Sequence, residues 1–311
     1  MTQVEGAVFY DRSSWGRIQV SDADRLNFLH NQSTNTFNLR KPGEGCDTVF
    51  VTSTARTIDL ATAYILEDSV ILLVSPGLTE KLMKFLDRYI FFADKVKLAD
   101  ITAETQTVSV LGSKSHDIVK ELGAAELIAQ PYGTHCLVDG IRIAVGSGLA
   151  TEGYTLISDR SIDLTAKLKE LGATEIDDQT WNQLRVEQGR PMPGEELTDD
   201  YNPLEAGLWH TISWNKGCYI GQETIARLDA YNGVKQNLWG IKLNQVVEPG
   251  TVVTIADEKV GKITSVVDAV TDTCAGGIGL AYIRTKAGGA GLQTDLGEIV
   301  ALPYLTREKQ N

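Results

Sequence analysis

The sequence predicts an α+β fold that ends in a small all-β unit, and three observations carry this. Strands and helices follow one another in mixed order and include hairpins, which favours α+β over a doubly wound parallel sheet. Helical periodicity comes in short runs, such as Leu82, Met83, Leu86 and Ile90 on one face of a helix from Thr79. After Leu228 the helical pattern fades, and short strands with turn signals occupy 237–305, which reads as a barrel.

A short helix is expected over 21–30, opened by Ser21 and Asp24 and continued by Leu26 and Leu29. The polar cluster Asn31–Thr36 reads as a loop, Lys41-Pro42-Gly43 as a turn and Thr48–Thr52 as a strand. The β-rich runs Arg56–Leu66 and Ser69–Val74 flank Glu67-Asp68 and predict a hairpin. Ser75-Pro76-Gly77 separates it from the helix Thr79–Ile90. Thr107–Leu111 is an expected strand, and Ser115–Leu122 a helix ended by Gly123. Asp139-Gly140, between His135–Val138 and Ile141–Val145, is a two-residue hairpin signal. Tyr154–Ser158 is a further strand, and Asp163–Leu171 a helix closed by Gly172.

Asp177 or Asp178 caps the next helix, which runs to Gly189 with Trp181, Leu184 and Gln188 on one face. Pro191-x-Pro193-Gly194 stops it and opens an irregular stretch, 190–215; stretches this long inside a domain tend to carry function. A helical run Gln222–Leu228 precedes a linker at Asp229–Gln236. The division expected is a core of 1–230 and a C-terminal β-barrel domain of 237–311, with turns at Glu248-Pro249-Gly250 and Asp257-Glu258. Ala287–Gly291 reads as a flexible loop, and no internal repeat stands out.

A chain of 311 residues suffices for two or three domains, and its 42% hydrophobic and 23% charged content is that of a globular protein. The net charge of −12 argues against stable nucleic-acid binding through phosphates. Four scattered cysteines, Cys46, Cys136, Cys218 and Cys274, form no metal or disulfide pattern and suit a reducing, cytoplasmic setting. Met1–Gly6 lacks the basic and apolar regions of a secretory signal, and no apolar run is long enough to span a membrane.

The chemically densest stretch is Lys216-Gly217-Cys218-Tyr219-Ile220-Gly221-Gln222-Glu223. It gathers a lysine, a thiol, a ring, an amide and a carboxylate between two glycines. Cys218 stands before an expected helix start, and Lys216 lies two residues away; both favour a thiolate. A small buried cysteine in a tight turn is the alternative. Other motifs fail on spacing. Gly146-x-Gly148 is followed by a strand, against a dinucleotide site, and Gly112-Ser113-Lys114-Ser115 lacks the glycine of a phosphate loop. The four histidines are dispersed, without the spacing of metal ligands.

Lys216–Glu223 resembles the K-G-C-[FY]-x-G-Q-E signature of the folate-binding YgfZ-type proteins, relatives of the glycine cleavage T-protein, an aminomethyltransferase. Phe28-Leu29 with Thr34-Asn35, Leu184-Arg185-Val186-Glu187-Gln188-Gly189 and Pro203-Leu204-Glu205-Ala206-Gly207-Leu208 resemble further segments of that superfamily. Gly261–Ser265 and Gly279–Arg284 resemble its C-terminal barrel, and Tyr89–Val96 is similar to the cyanobacterial and plastid branch.

The resemblance implies a three-lobed ring of two interleaved ferredoxin-like units and a C-terminal β-barrel around a central cavity. It implies a tetrahydrofolate-binding protein that supports assembly or repair of iron–sulfur clusters in client enzymes, with folate and those client or assembly proteins as partners. Glu187 would hold the pterin through paired hydrogen bonds, and a solvated helix residue is the plain alternative. Arg185 and Arg227 would meet the folate carboxylates; surface salt bridges explain either equally well. Cys218 would be the working thiol and Lys216 would keep it ionised. The T-protein carries adjacent acids where this chain has Asp59-Leu60, so its second, working acid falls on Leu60. This departure speaks against the alternative function, a folate-dependent aminomethyltransferase.

Overall fold

The computed structural model describes residues 4–268 and 276–309, so Met1-Thr2-Gln3 and Cys274 lie outside the described residues. Three sheets organise the chain. The first is antiparallel throughout, in the order Gly45–Val51, Thr57–Ile65, Ser69–Val74, Gly16–Ser21, Lys97–Asp100. Helices α1 (Arg25–Gln32) and α2 (Thr79–Asp87) close a core with it through Ile18, Phe28, Leu72, Leu82 and Leu86.

The second sheet runs Thr174–Glu175, Val8–Asp11, Thr105–Leu111, Gly153–Asp159, Ile141–Val145, His135–Val138, and its first pair alone is parallel. Helices α3 (Ser115–Glu121) and α4 (Leu164–Glu170) share its core with Val110, Ile143 and Leu156. The two units interleave. Val8–Asp11 belongs to the second sheet, Gly16–Ser21 to the first, and the chain re-enters the second at Thr105.

The third sheet has the order Val252–Ile255, Glu258–Val267, Ile278–Arg284, Gln236–Leu243, Gly297–Val300, Gln293–Thr294. Its ends approach closure: Asp295 N donates to Thr254 O at 3.0 Å, and Thr254 Oγ1 donates to Asp295 Oδ2 at 2.6 Å. Helix α5 (Asp178–Gln188) bridges two of the sheets. Trp181 and Leu184 pack on Tyr10 and Leu111, while Val186 packs on Leu238, Leu280 and Tyr282. Asp177 caps α5 by accepting from Thr180 N, and Gly189 ends it at φ 89°, a left-handed angle that glycine takes without strain. Helix α6 (Gln222–Ala230) packs Ile225 against Ala55, Leu204 and Ile212.

Several local expectations meet a different outcome. Asp24 does not cap α1; its Oδ2 accepts from Lys95 N at 2.9 Å, and the helix runs two residues into the expected loop. The hairpin of Val252–Ile255 with Glu258–Val267 turns at Ala256 and Asp257, φ 48° and 68°, one residue earlier than anticipated. In the loop 287–291, Gly289 lies against Trp239, where a Cβ would stand 2.7 Å from the ring, while Gly288, Ala290 and Gly291 are exposed.

Candidate functional site

The octapeptide lies against the end of α1. Lys216 Nζ donates to the carbonyls of His30, Ser33 and Asn35 at 2.5, 2.7 and 2.6 Å, and sits 4.6 Å over the Tyr219 ring. Ile220 N donates to Asn31 O at 3.1 Å. Burial pulls the Lys216 ammonium down to about 7, while three carbonyl acceptors hold its proton in place. The structure gives Lys216 a structural task beside the role expected of it. Its charge satisfies carbonyls left open where α1 ends, and it anchors the loop there. Cys218 is exposed at the loop's tip, so the buried-cysteine alternative falls. Gly221 is required where it stands: φ is 81°, and a Cβ would meet Thr52 O at 2.8 Å.

Glu187 is buried in α5, and Gln183 Nε2 donates to its Oε1 at 2.8 Å. Arg185 has other work than the one anticipated. Its Nε donates to Asn182 Oδ1 at 2.7 Å and its Nη1 to Glu196 Oε2 at 3.1 Å; Nη2 reaches Glu195 and Ser265. The guanidinium is thus matched by two carboxylates and ties α5 to the third sheet, leaving it no open donor pair for a ligand carboxylate. Arg227 is exposed on α6.

Two neighbouring cavities share Ala150 and Pro303 in their walls. The larger, 790 Å³, is reached by Gln188 of α5 and by Lys114. The smaller, 480 Å³, is lined by Asn35, Arg40, Asp47, Tyr132, His210 and Tyr304 among others. Asp47 was not singled out in the sequence, where a lone acid in a strand gives no signal. Its Oδ1 accepts from Thr62 Oγ1 at 2.6 Å and Tyr132 Oη at 2.8 Å, and its Oδ2 from Tyr304 Oη at 3.3 Å. Asn35 Nδ2 donates to Asp47 O at 2.7 Å, so the cavity wall is continuous with the segment that Lys216 holds.

Leu60 lies on the same face of the first sheet as Asp47, since Val49 pairs with Leu60 and Asp47 with Thr62. Leu60 is 1% exposed and packs among Val49, Val51, Leu197, Leu208 and Tyr304. Asp59 points to the opposite face, where its Oδ2 accepts from Ser75 N at 2.9 Å and burial pushes its carboxyl up to about 6. The adjacent-acid pattern is therefore absent from the cavity face at this pair.

The failed glycine motif has a packing role. A Cβ at Gly146 would stand 2.3 Å from the Tyr132 ring, and one at Gly148 would stand 2.6 Å from Arg12 Nη1. Arg12 and Arg190, both buried, flank Trp15 at 3.8 and 4.9 Å. Burial, and then the charge of Arg190, pull Arg12 down to about 10. Among the described residues no group of His, Cys, Asp and Glu side chains is arranged to hold a metal, and no helix is long and apolar enough to cross a membrane.

Comparison with known proteins agrees with this architecture. Residues 1–145 match the GCVT N-terminal domain. A chloroplastic protein of Arabidopsis thaliana that carries a transferase name is 44% identical over 97% of this chain and 72% of its own. An aminomethyltransferase of Bacillus mycoides is 27% identical over 98% of this chain and 88% of its own. The crystal structure of the glycine cleavage system aminomethyltransferase T from Bartonella henselae superposes with a TM-score of 0.84, at 16% identity, over 99% of this chain and 89% of that one. It shares the fold. On the sequence relationship and the matched domain together, the chain belongs to the GcvT family of aminomethyltransferase-like proteins.

Proposed function

We propose that this chain is a tetrahydrofolate-binding protein of YgfZ type that supports assembly or repair of iron–sulfur clusters in client enzymes of a reducing compartment, cytoplasmic in our reading. The observation that carries the reading is the exposed Cys218, borne on a loop that Lys216 fastens to the cavity-lining segment Asn35. The thiol is open to a partner, and its loop is tied through Lys216 to a segment that lines a cavity. Reduced folate suits that cavity system, which offers the buried Asp47 carboxylate, the rings of Tyr132 and Tyr304 and, in the larger cavity, the cation Lys114. In this proposal Glu187 accepts from the pterin N–H groups, Arg227 meets a carboxylate of the folate tail, and Cys218 contacts the client or its cluster.

A second reading, aminomethyl transfer, draws on the names of the relatives. Apolar packing at Leu60 speaks against it, because proton transfer needs a titratable group within hydrogen-bond reach of the reacting atom. The test is paired. Wild type should bind tetrahydrofolate in a titration and restore iron–sulfur enzyme activity to cells lacking the protein, and Cys218→Ser should bind equally well but fail to restore. Full restoration by Cys218→Ser would refute the role of the thiol.

A further inference from the structure

The 480 Å³ cavity holds one carboxylate in its wall whose bonding is unfinished. An ionised carboxylate oxygen offers two lone-pair sites. On Asp47, Oδ1 fills both, with Thr62 Oγ1 at 2.6 Å and Tyr132 Oη at 2.8 Å. Among the described residues Oδ2 has one hydrogen-bond donor, Tyr304 Oη, and at 3.3 Å that bond is long for an O–H donor. The side chain is 8% exposed, so bulk water does not complete the shell freely. The two tyrosines that hold the carboxylate also present their rings to the cavity, beside the His210 ring. Burial lowers the proton affinity of His210, and Arg40 lines the same cavity.

We propose that Asp47 anchors the ligand in this cavity, its Oδ2 accepting a hydrogen bond from an N–H group of a flat heterocycle bordered by Tyr132 and Tyr304. The inference rests on the folate reading and deepens it by assigning a carboxylate beyond Glu187. It also gives the sheet face a ligand-facing acid two pairs along from Leu60, at Asp47 opposite Thr62. The assignment concerns recognition, and no proton-transfer step is attached to it.

The test uses the full chain with two probes, tetrahydrofolate and 2,4-diaminopyrimidine, and the variants Asp47→Asn and Thr62→Val. Asp47→Asn turns a donor toward the ligand, and loss of one charge-assisted bond should weaken both probes about tenfold or more. Thr62→Val removes a supporting hydroxyl that does not face the ligand, and should change affinity far less. Affinity of Asp47→Asn within about twofold of wild type, on the same scale, would overturn the assignment. If Asp47→Asn does not fold, ligand-side deletion decides: 2,4-diaminopyrimidine should raise the melting temperature of wild type and unsubstituted pyrimidine should not. Equal effects of the two would overturn the proposal. Binding of the diaminopyrimidine in an Asp47-dependent way without binding of tetrahydrofolate would leave Asp47 in place and remove the folate reading. Binding of neither probe by wild type would end both.

Discussion

Replacing Leu60 with aspartate restores the acid of the aminomethyltransferase pattern on paper, and the structure says it breaks the fold first. Leu60 is 1% exposed in a cluster with Val49, Val51, Leu208 and Tyr304. Truncating such a side chain to alanine costs about 2–5 kcal/mol. Aspartate adds the burial of a charge. Asp59 gauges that addition: burial raises its carboxyl from 3.8 to about 6 even with Ser75 N bonded to it, which corresponds to about 3 kcal/mol. Leu60→Asp should thus lie about 3 kcal/mol below Leu60→Ala and about 5–8 kcal/mol below wild type at pH 7, the latter close to the whole stability of many domains. The sign with pH follows. A carboxyl raised above its unfolded value penalises the fold above the folded pKa, and the penalty disappears as pH falls toward the unfolded one. Urea unfolding of both variants at pH 7 and pH 4 measures it, with the gap closing at pH 4. A Leu60→Asp protein as stable as Leu60→Ala at pH 7 would refute the dry, apolar description of this face.

Other outcomes are expected on the same footing. A small alkylating agent should modify exposed Cys218 before Cys46 or Cys136, whose thiols burial pushes up to about 12 and about 11; equal rates in the native state would contradict this. His135, drawn down to about 4 by burial and by Arg142, stabilises the fold above its unfolded value of 6.5 and loses that support as pH falls through 4. The melting temperature should therefore drop less between pH 6.5 and pH 4 in His135→Gln than in wild type, a comparison that cancels the opposite trend of Asp59; a steeper drop in the variant would oppose it. If the barrel is a separate domain, limited proteolysis should cut first within 231–235, between α6 and Gln236. Early cuts inside 40–120 would move the domain boundary.

How far the sequence spoke can be seen residue by residue. Local chemistry was legible. Asp139-Gly140 turns at φ 48° and 79°, and Asp163 and Asp177 each cap the helix they precede. The hairpin Thr57–Ile65 with Ser69–Val74 pairs as its composition indicates. The strands Val8–Asp11, Gly16–Ser21 and Lys97–Asp100 were not, for a physical reason. They are short, and Gly16–Ser21 carries a buried arginine, Arg17, whose guanidinium is satisfied by backbone carbonyls, at Ser13 and Thr105 for instance. A charge near the start of a short strand hides its burial. These strands produce the interleaving, so the topology came from the resemblance and not from periodicity.

At the site, the octapeptide was visible as a cluster of residue types, yet the direction of the Lys216 ammonium was not. It depends on carbonyls of residues 30–35, some 180 positions earlier in the chain. Arg185 shows the same limit, since its partners Glu195, Glu196 and Ser265 meet it only through the packing of α5 on the third sheet. Asp47 gave no sequence signal because its significance lies in Tyr132 and Tyr304, which arrive from distant segments.

The central claim is that this chain binds reduced folate without performing the transfer named for its relatives. The most direct measurement titrates wild type and Glu187→Ala with tetrahydrofolate, and in the same preparation assays ammonia release from an aminomethyl-loaded carrier protein. Wild type should bind and release none, and Glu187→Ala should bind more weakly by roughly 2–4 kcal/mol, the range for losing one partner of a buried charged pair. Ammonia release at enzymatic rates by unmutated protein, or saturable folate binding indifferent to Glu187→Ala, would contradict the account.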